Sequence, residues 1–215
     1  MTNYSSQSKF FVSVDCVIFG FVDGRLKLLV QQRPYSPGKG EMSLIGGFVE
    51  KHESIDTSAQ RILKIFTGMD NVYMQQLGAF GEVERDPGER VISIVYYALI
   101  NADNYDSHLS EIHNAKWVDV DHMPKLCFDH NEMVNKARQV IGENIKNKPI
   151  GQNLLPRYFT LSLLQSLYEC ILGIQIDKRN FRRSIAEKEY IHATELIDKG
   201  SSKRGATLYE FTNSK

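Results

Sequence analysis

The chain has 215 residues, 42% hydrophobic and 24% charged, and its 26 Lys and Arg balance 26 Asp and Glu. That composition excludes a disordered or collagen-like chain, and the neutral total excludes a uniformly basic nucleic-acid binder. The length accommodates one domain, or a domain with a small added module. The longest apolar runs, such as VISIVYYALI at residues 91–100, fall short of the ~20 residues of a membrane-spanning helix. MTNYSSQSKF at the N-terminus lacks the apolar stretch of a secretory signal, so the cytoplasm is the expected location. Cys16, Cys127 and Cys170 are far apart and form no C-x-x-C pair, so they are read as buried, inert thiols.

In chain order, residues 11–21 (FVSVDCVIFGF) and 26–32 (LKLLVQQ) read as paired strands joined at Asp23-Gly24. Pro34, Pro37, Gly38 and Gly40 predict a loop, and Gly46-Gly47 a tight backbone feature ahead of a helix over residues 54–66 that Gly68 caps. Strands are expected at residues 74–82, 90–101 and 115–120, with a turn at Asp86-Pro87-Gly88, and Asp129 opens a helix to about Ile145. The polar segment 146–153, with Pro149 and Gly151, reads as a linker. Beyond it, Thr160 caps an apolar helix ending at Gly173, and Asp177 caps a basic one. Strand-like residues 193–197 and 207–211 then flank a Gly-, Ser- and Lys-rich turn. Helix, short connection, basic helix and hairpin is the order of a winged helix-turn-helix.

The neutral total conceals this division. Residues 1–150 carry 16 Lys and Arg against 19 Asp and Glu, and residues 151–215 carry 10 against 7. A mildly acidic unit is joined to a basic one.

Gly47, Glu53, Arg61, Leu63 and Gly68 have the spacing of the Nudix box, and GGFVE at 46–50 with RPYSPGKGE at 33–41 resembles the ADP-ribose pyrophosphatase branch of that family. The resemblance covers about residues 10–145 and implies a Nudix-like α/β/α sandwich with a mixed sheet over residues 1–148; with the winged helix-turn-helix read from element order over 149–215, the expected fold class is α+β. The three box glutamates that would bind a divalent cation correspond to Ile62, Ile65 and Phe66. Positions i, i+3 and i+4 share a helix face, where Mg²⁺ demands oxygen ligands that these side chains lack. The expectation is therefore no enzyme, no metal and no other cofactor, with Glu53 and Arg61 kept as a structural ion pair. The six histidines show no metal-ligand spacing and are assigned no role.

Lys178, Arg179, Asn180, Arg182 and Arg183 cluster on the second helix, and Lys199, Lys203 and Arg204 fall on the wing turn. Arg179 and Asn180 are candidate base contacts because Arg suits guanine and Asn adenine, while Phe181 and Ile185 hold the helix to its own core. LLPRYFTLSLLQSLYECILG, IDKRNFRRSI and KRGATLYEF resemble the C-terminal domain of Nudix-related transcriptional regulators, most closely the arabinose-responsive regulators of gut bacteria. The resemblance implies a homodimeric repressor of sugar-utilisation genes that binds a double-stranded DNA operator and is released by L-arabinose. Other members bind ADP-ribose and control NAD metabolism. Candidate effector contacts are Lys39, Glu41, Glu50, Phe80, Glu82 and Arg85, and the acidic run Glu82, Glu84, Asp86 and Glu89 favours a neutral sugar over a diphosphate. The alternatives are an ADP-ribose-responsive regulator, a Nudix pyrophosphohydrolase with an accessory domain, and a module whose basic helix binds an acidic protein.

Overall fold

The computed structural model describes residues 3–70, 72–101, 105, 108, 112–200 and 205–212. Strands β1 (Phe11–Val22) and β2 (Arg25–Gln32) pair antiparallel across Asp23-Gly24, both at positive φ, as the hairpin signal predicts. Around them β3 (Met42–Ser43), β4 (Ile45–Phe48), β5 (Tyr73–Phe80), β6 (Val91–Ile100) and β7 (Ala115–Asp119) complete a seven-stranded mixed sheet, with β1 and β6 parallel at its centre. Gly46 and Gly47 lie within β4, paired to β1, so the tight backbone feature expected there is part of a strand.

Alternation along β1 builds a core on each face. Val14, Cys16 and Ile18 pack with Ala59, Ile62 and Leu63 of α1 (Ile55–Thr67), and Val17, Phe19 and Phe21 pack with Met133, Val134, Ala137 and Ile141 of α2 (His130–Ile145). Ser54 accepts the Thr57 N–H to start α1, and Gly68 ends it in the left-handed conformation.

The C-terminal unit contains β8 (Phe159–Thr160), α3 (Leu161–Leu172), α4 (Lys178–Ala186), β9 (Ile191–Asp198) and β10 (Ala206–Phe211). Thr160 caps α3 through the Leu163 N–H, and Asp177 caps α4 through the Asn180 N–H. The sheet order is β8-β10-β9; β8 is too short to be read from sequence. Leu164, Leu167, Tyr168 and Ile171 of α3 join the same apolar cluster as α2. The expected polar linker contains a 3-10 turn at Ile150–Asn153, with Ile150, Leu154 and Leu155 buried, so it packs rather than hangs free. Among the described residues no helix is long and apolar enough to cross a membrane. Cys16 and Cys127 are buried, which pushes both thiols up, Cys127 to about 11; Cys170 is half-buried and donates to the Gly24 carbonyl.

Candidate functional site

Sheet alternation also makes a cavity. The odd-numbered face of β1 that continues as Val17, Phe19 and Phe21 begins with Ser13 and Asp15, and this polar end underlies a cavity of about 480 Å³. Ser93 on β6 stands opposite Ser13 and donates to Asp15 Oδ2 at 2.6 Å. Arg85, from the turn between β5 and β6, places Nη2 3.8 Å from the same oxygen, and His130 Nε2 lies 3.8 Å from Asp15 Oδ1. The Leu44 N–H donates to His130 Nδ1 at 3.1 Å, which puts the ring proton on Nε2, toward Asp15. Burial lowers the His130 pKa, so the imidazole is neutral at pH 7.

Gly46 is required by this arrangement, because a Cβ there would come within 2.3 Å of Asp15 Oδ1. Arg85 is only 3% exposed in its side chain and chelates Asp129, Nε to Oδ2 at 2.9 Å and Nη2 to Oδ1 at 2.7 Å. Burial opposes its charge, but the Asp129 hydrogen bonds and the nearby Asp15 outweigh it, and its pKa is raised. Ser13 is nine-tenths buried, and its hydroxyl has no hydrogen-bond partner among the described residues. Such a group is costly unless something pairs with it. Arg33 and Phe128 contribute a second wall, with the guanidinium 4.8 Å from the ring centroid.

Of the six effector residues expected from sequence, Arg85 alone lines this cavity. Lys39, Glu41 and Glu82 are exposed elsewhere, Glu50 is a surface carboxylate 4.0 Å from Arg61, and Phe80 packs under the Lys136 ammonium. Sequence reasoning missed Ser13, Asp15 and His130. The signal for the first two is a polar start to an otherwise apolar strand; His130, assigned no role from sequence, lines the cavity without any local signal.

Phe66 reaches the cavity and packs at a tilt against His113, ring centroids 4.7 Å apart, Ile62 is buried in the α1 core, and Ile65 is 41% exposed. None supplies oxygen, so the residues at the box positions do not fit a divalent cation. Glu53 and Arg61 form a bidentate pair at 2.6 and 2.9 Å, and Arg61 also donates to the Phe48 carbonyl, tying the end of β4 to α1. The Arg61 hydrogen bonds, helped by the Glu50 N–H, hold the Glu53 carboxyl down at about 2.

In the C-terminal unit, Lys178, Arg179, Asn180, Arg182 and Arg183 are exposed on α4, while Phe181 and Ile185 are each 3% exposed and face the core. Lys178 and Arg182, one turn apart, border a groove with Thr160 and Ser162 at the start of α3 and Thr207 on β10. Lys199 is exposed beyond β9; Lys203 and Arg204 lie outside the described residues.

A two-faced sheet with a polar cavity, followed by a basic helix and a β-hairpin, defines a cavity-bearing domain joined to a winged helix-turn-helix. The NUDIX domain family matches residues 9–137, and the NrtR DNA-binding winged helix domain matches residues 151–211. The ADPR responsive transcriptional repressor NtrR of Acinetobacter baylyi is 33% identical over 204 residues, covering 93% of this chain and 81% of that protein. The crystal structure of Shewanella oneidensis NrtR complexed with a 27mer DNA superposes with a TM-score of 0.83 at 29% identity, covering 94% of this chain and 93% of that one. The NUDIX domain of that protein complexed with ADP ribose aligns with a TM-score of 0.56 at 28% identity, over 65% of this chain and 94% of that one. The chain belongs to the NrtR family of ligand-responsive, DNA-binding transcriptional regulators, a Nudix domain followed by a winged helix domain. These relatives are described with ADP-ribose, and the L-arabinose response expected from sequence has no support among them.

Proposed function

We propose that the protein is a homodimeric repressor whose α4 reads operator DNA and whose Nudix cavity binds ADP-ribose without hydrolysing it. One observation carries this reading: the cavity has a built polar floor, with an unpaired Ser13 hydroxyl beside Asp15, while the positions that would hold a catalytic cation carry Ile62, Ile65 and Phe66. The floor can hold hydroxyls of a pentose ring, and without a metal no diphosphate oxygen is polarised and no water activated there. The cavity's size is that of a small-molecule site, and the relatives' association with ADP-ribose supports the choice of ligand. The winged helix reads one half-site, so a dimer presents two to a palindrome. The two functional units correspond to residues 1–148 and 149–215.

A second reading, a free pentose such as L-arabinose, is favoured by the commitment of Arg85 to Asp129 and Asp15. Arg33 on the second wall, which donates to the Pro37 carbonyl and lies over the Phe128 ring, is then the lining arginine left for a diphosphate among the described residues. Calorimetry on the full-length protein separates the two. The proposal expects saturable binding of ADP-ribose, weakened about two- to tenfold in Ser13→Ala, the worth of one neutral hydrogen bond. It also expects no AMP release with Mg²⁺ present. Binding of L-arabinose alone establishes the second reading, and turnover at ordinary enzyme rates overturns both.

A further inference from the structure

Resting on that reading of the cavity, we propose that α2 carries effector occupancy to the DNA-binding unit, with Asp129 changing partners as the switch. Asp129 is the N-cap of α2, and Asp is among the best capping residues, yet its side chain makes no capping hydrogen bond. Its carboxylate is held instead by Arg85, whose guanidinium lines the cavity. The next residue, His130, belongs to the cavity floor. The first turn of α2 is thus part of the ligand site.

The rest of α2 is part of the DNA-binding unit's support. Arg138, two turns along, donates to the carbonyls of Cys170 at 2.6 Å and Ile171 at 3.3 Å in the last turn of α3. At the far end, the Tyr168 hydroxyl donates to the Ile145 carbonyl, and Tyr168 in turn packs edge-on against Phe181 of α4. An unbroken line of contacts therefore runs from the cavity floor through α2 and α3 to the basic helix.

A ligand oxygen that hydrogen-bonds Arg85 competes with Asp129 for the guanidinium. Once released, the Asp129 carboxylate becomes free to cap the α2 amides it now ignores. The first turn has two alternative hydrogen-bonding states, and a ligand shifts between them only by preferring one. Because Arg138 ties the same helix to the end of α3, a change in the first turn reaches the unit that holds α4.

The test measures DNA affinity by fluorescence anisotropy, with and without saturating ADP-ribose, using a duplex selected by the full-length protein from a random-sequence pool. Two variants interrupt the line at opposite ends: Asp129→Asn removes the charge that Arg85 holds, and Arg138→Gln cuts the tie to α3 away from the cavity. The ligand's effect on DNA affinity is expected to fall in both to within about twofold of none, while Arg138→Gln binds ADP-ribose within about threefold of wild type. Arg138→Gln decides the matter if Asp129→Asn fails to fold. Wild-type coupling in either folded variant overturns the proposal. If neither ADP-ribose nor L-arabinose affects DNA binding by the wild type, the reading of the cavity is overturned and this proposal with it.

Discussion

Asp15 is the residue on which the cavity is organised. Ser93 donates to one carboxylate oxygen, Arg85 stands 3.8 Å from that oxygen, and His130 stands 3.8 Å from the other. Asp15→Asn preserves shape and removes the charged acceptor, and hydrogen bonds to charged groups are worth ~1.5–3 kcal/mol. Effector affinity is therefore expected to fall about 10- to 100-fold by calorimetry, with the fold retained by circular dichroism. Glu53 makes a different prediction, about stability. Its folded pKa, about 2, lies below the ordinary ~4.3 of an unfolded glutamate. Its contribution is thus fully present above the unfolded value and is lost as pH falls through the folded one. The urea-unfolding difference between wild type and Glu53→Gln should be constant from pH 7 to about 5 and shrink steadily toward pH 2. A difference that does not change with pH would remove the ion pair as its source.

The elements explain which parts were readable beforehand. Helix starts at Ser54, Thr160 and Asp177, and stops at Gly68 and Gly173, were legible because a cap is a local bargain between one side chain and the next few amides. The hairpin at Asp23-Gly24 was legible for the same reason. The cavity was not, because Asp15, Arg85 and His130 come from a strand, a turn and a helix that only the sheet topology brings together. Lys39, Glu41 and Glu50 lie near the box in the chain, and Phe80 and Glu82 lie before and at the start of the acidic run, yet proximity in sequence does not place them in the cavity. In α4 the amphipathic split separates two roles. Phe181→Ala removes a ring packed on Tyr168 and is expected to cost ~3–5 kcal/mol of stability in denaturant unfolding. Arg182→Ala should leave stability nearly unchanged and lower the slope of log affinity against log salt by about 1, the signature of one lost phosphate contact.

At the scale of the whole molecule, the neutral net charge is the sum of an acidic sensor and a basic reader, and one apolar cluster joins them. Met133, Ala137 and Ile141 of α2 belong to the same core as Leu164, Leu167 and Ile171 of α3, so the sensor and reader are packed together rather than tethered. A packed junction has a few discrete arrangements, and a ligand that prefers one of them shifts affinity at the other site by a typical factor of about 5 to 150. A hundredfold effect corresponds to about 2.7 kcal/mol of differential binding. The most direct measurement is a titration of the preformed complex of full-length protein and its selected DNA duplex with ADP-ribose, followed by anisotropy. Saturable release is expected, with the apparent Kd for DNA rising at least about fivefold. An unchanged Kd at ADP-ribose concentrations that calorimetry shows to be saturating would contradict it.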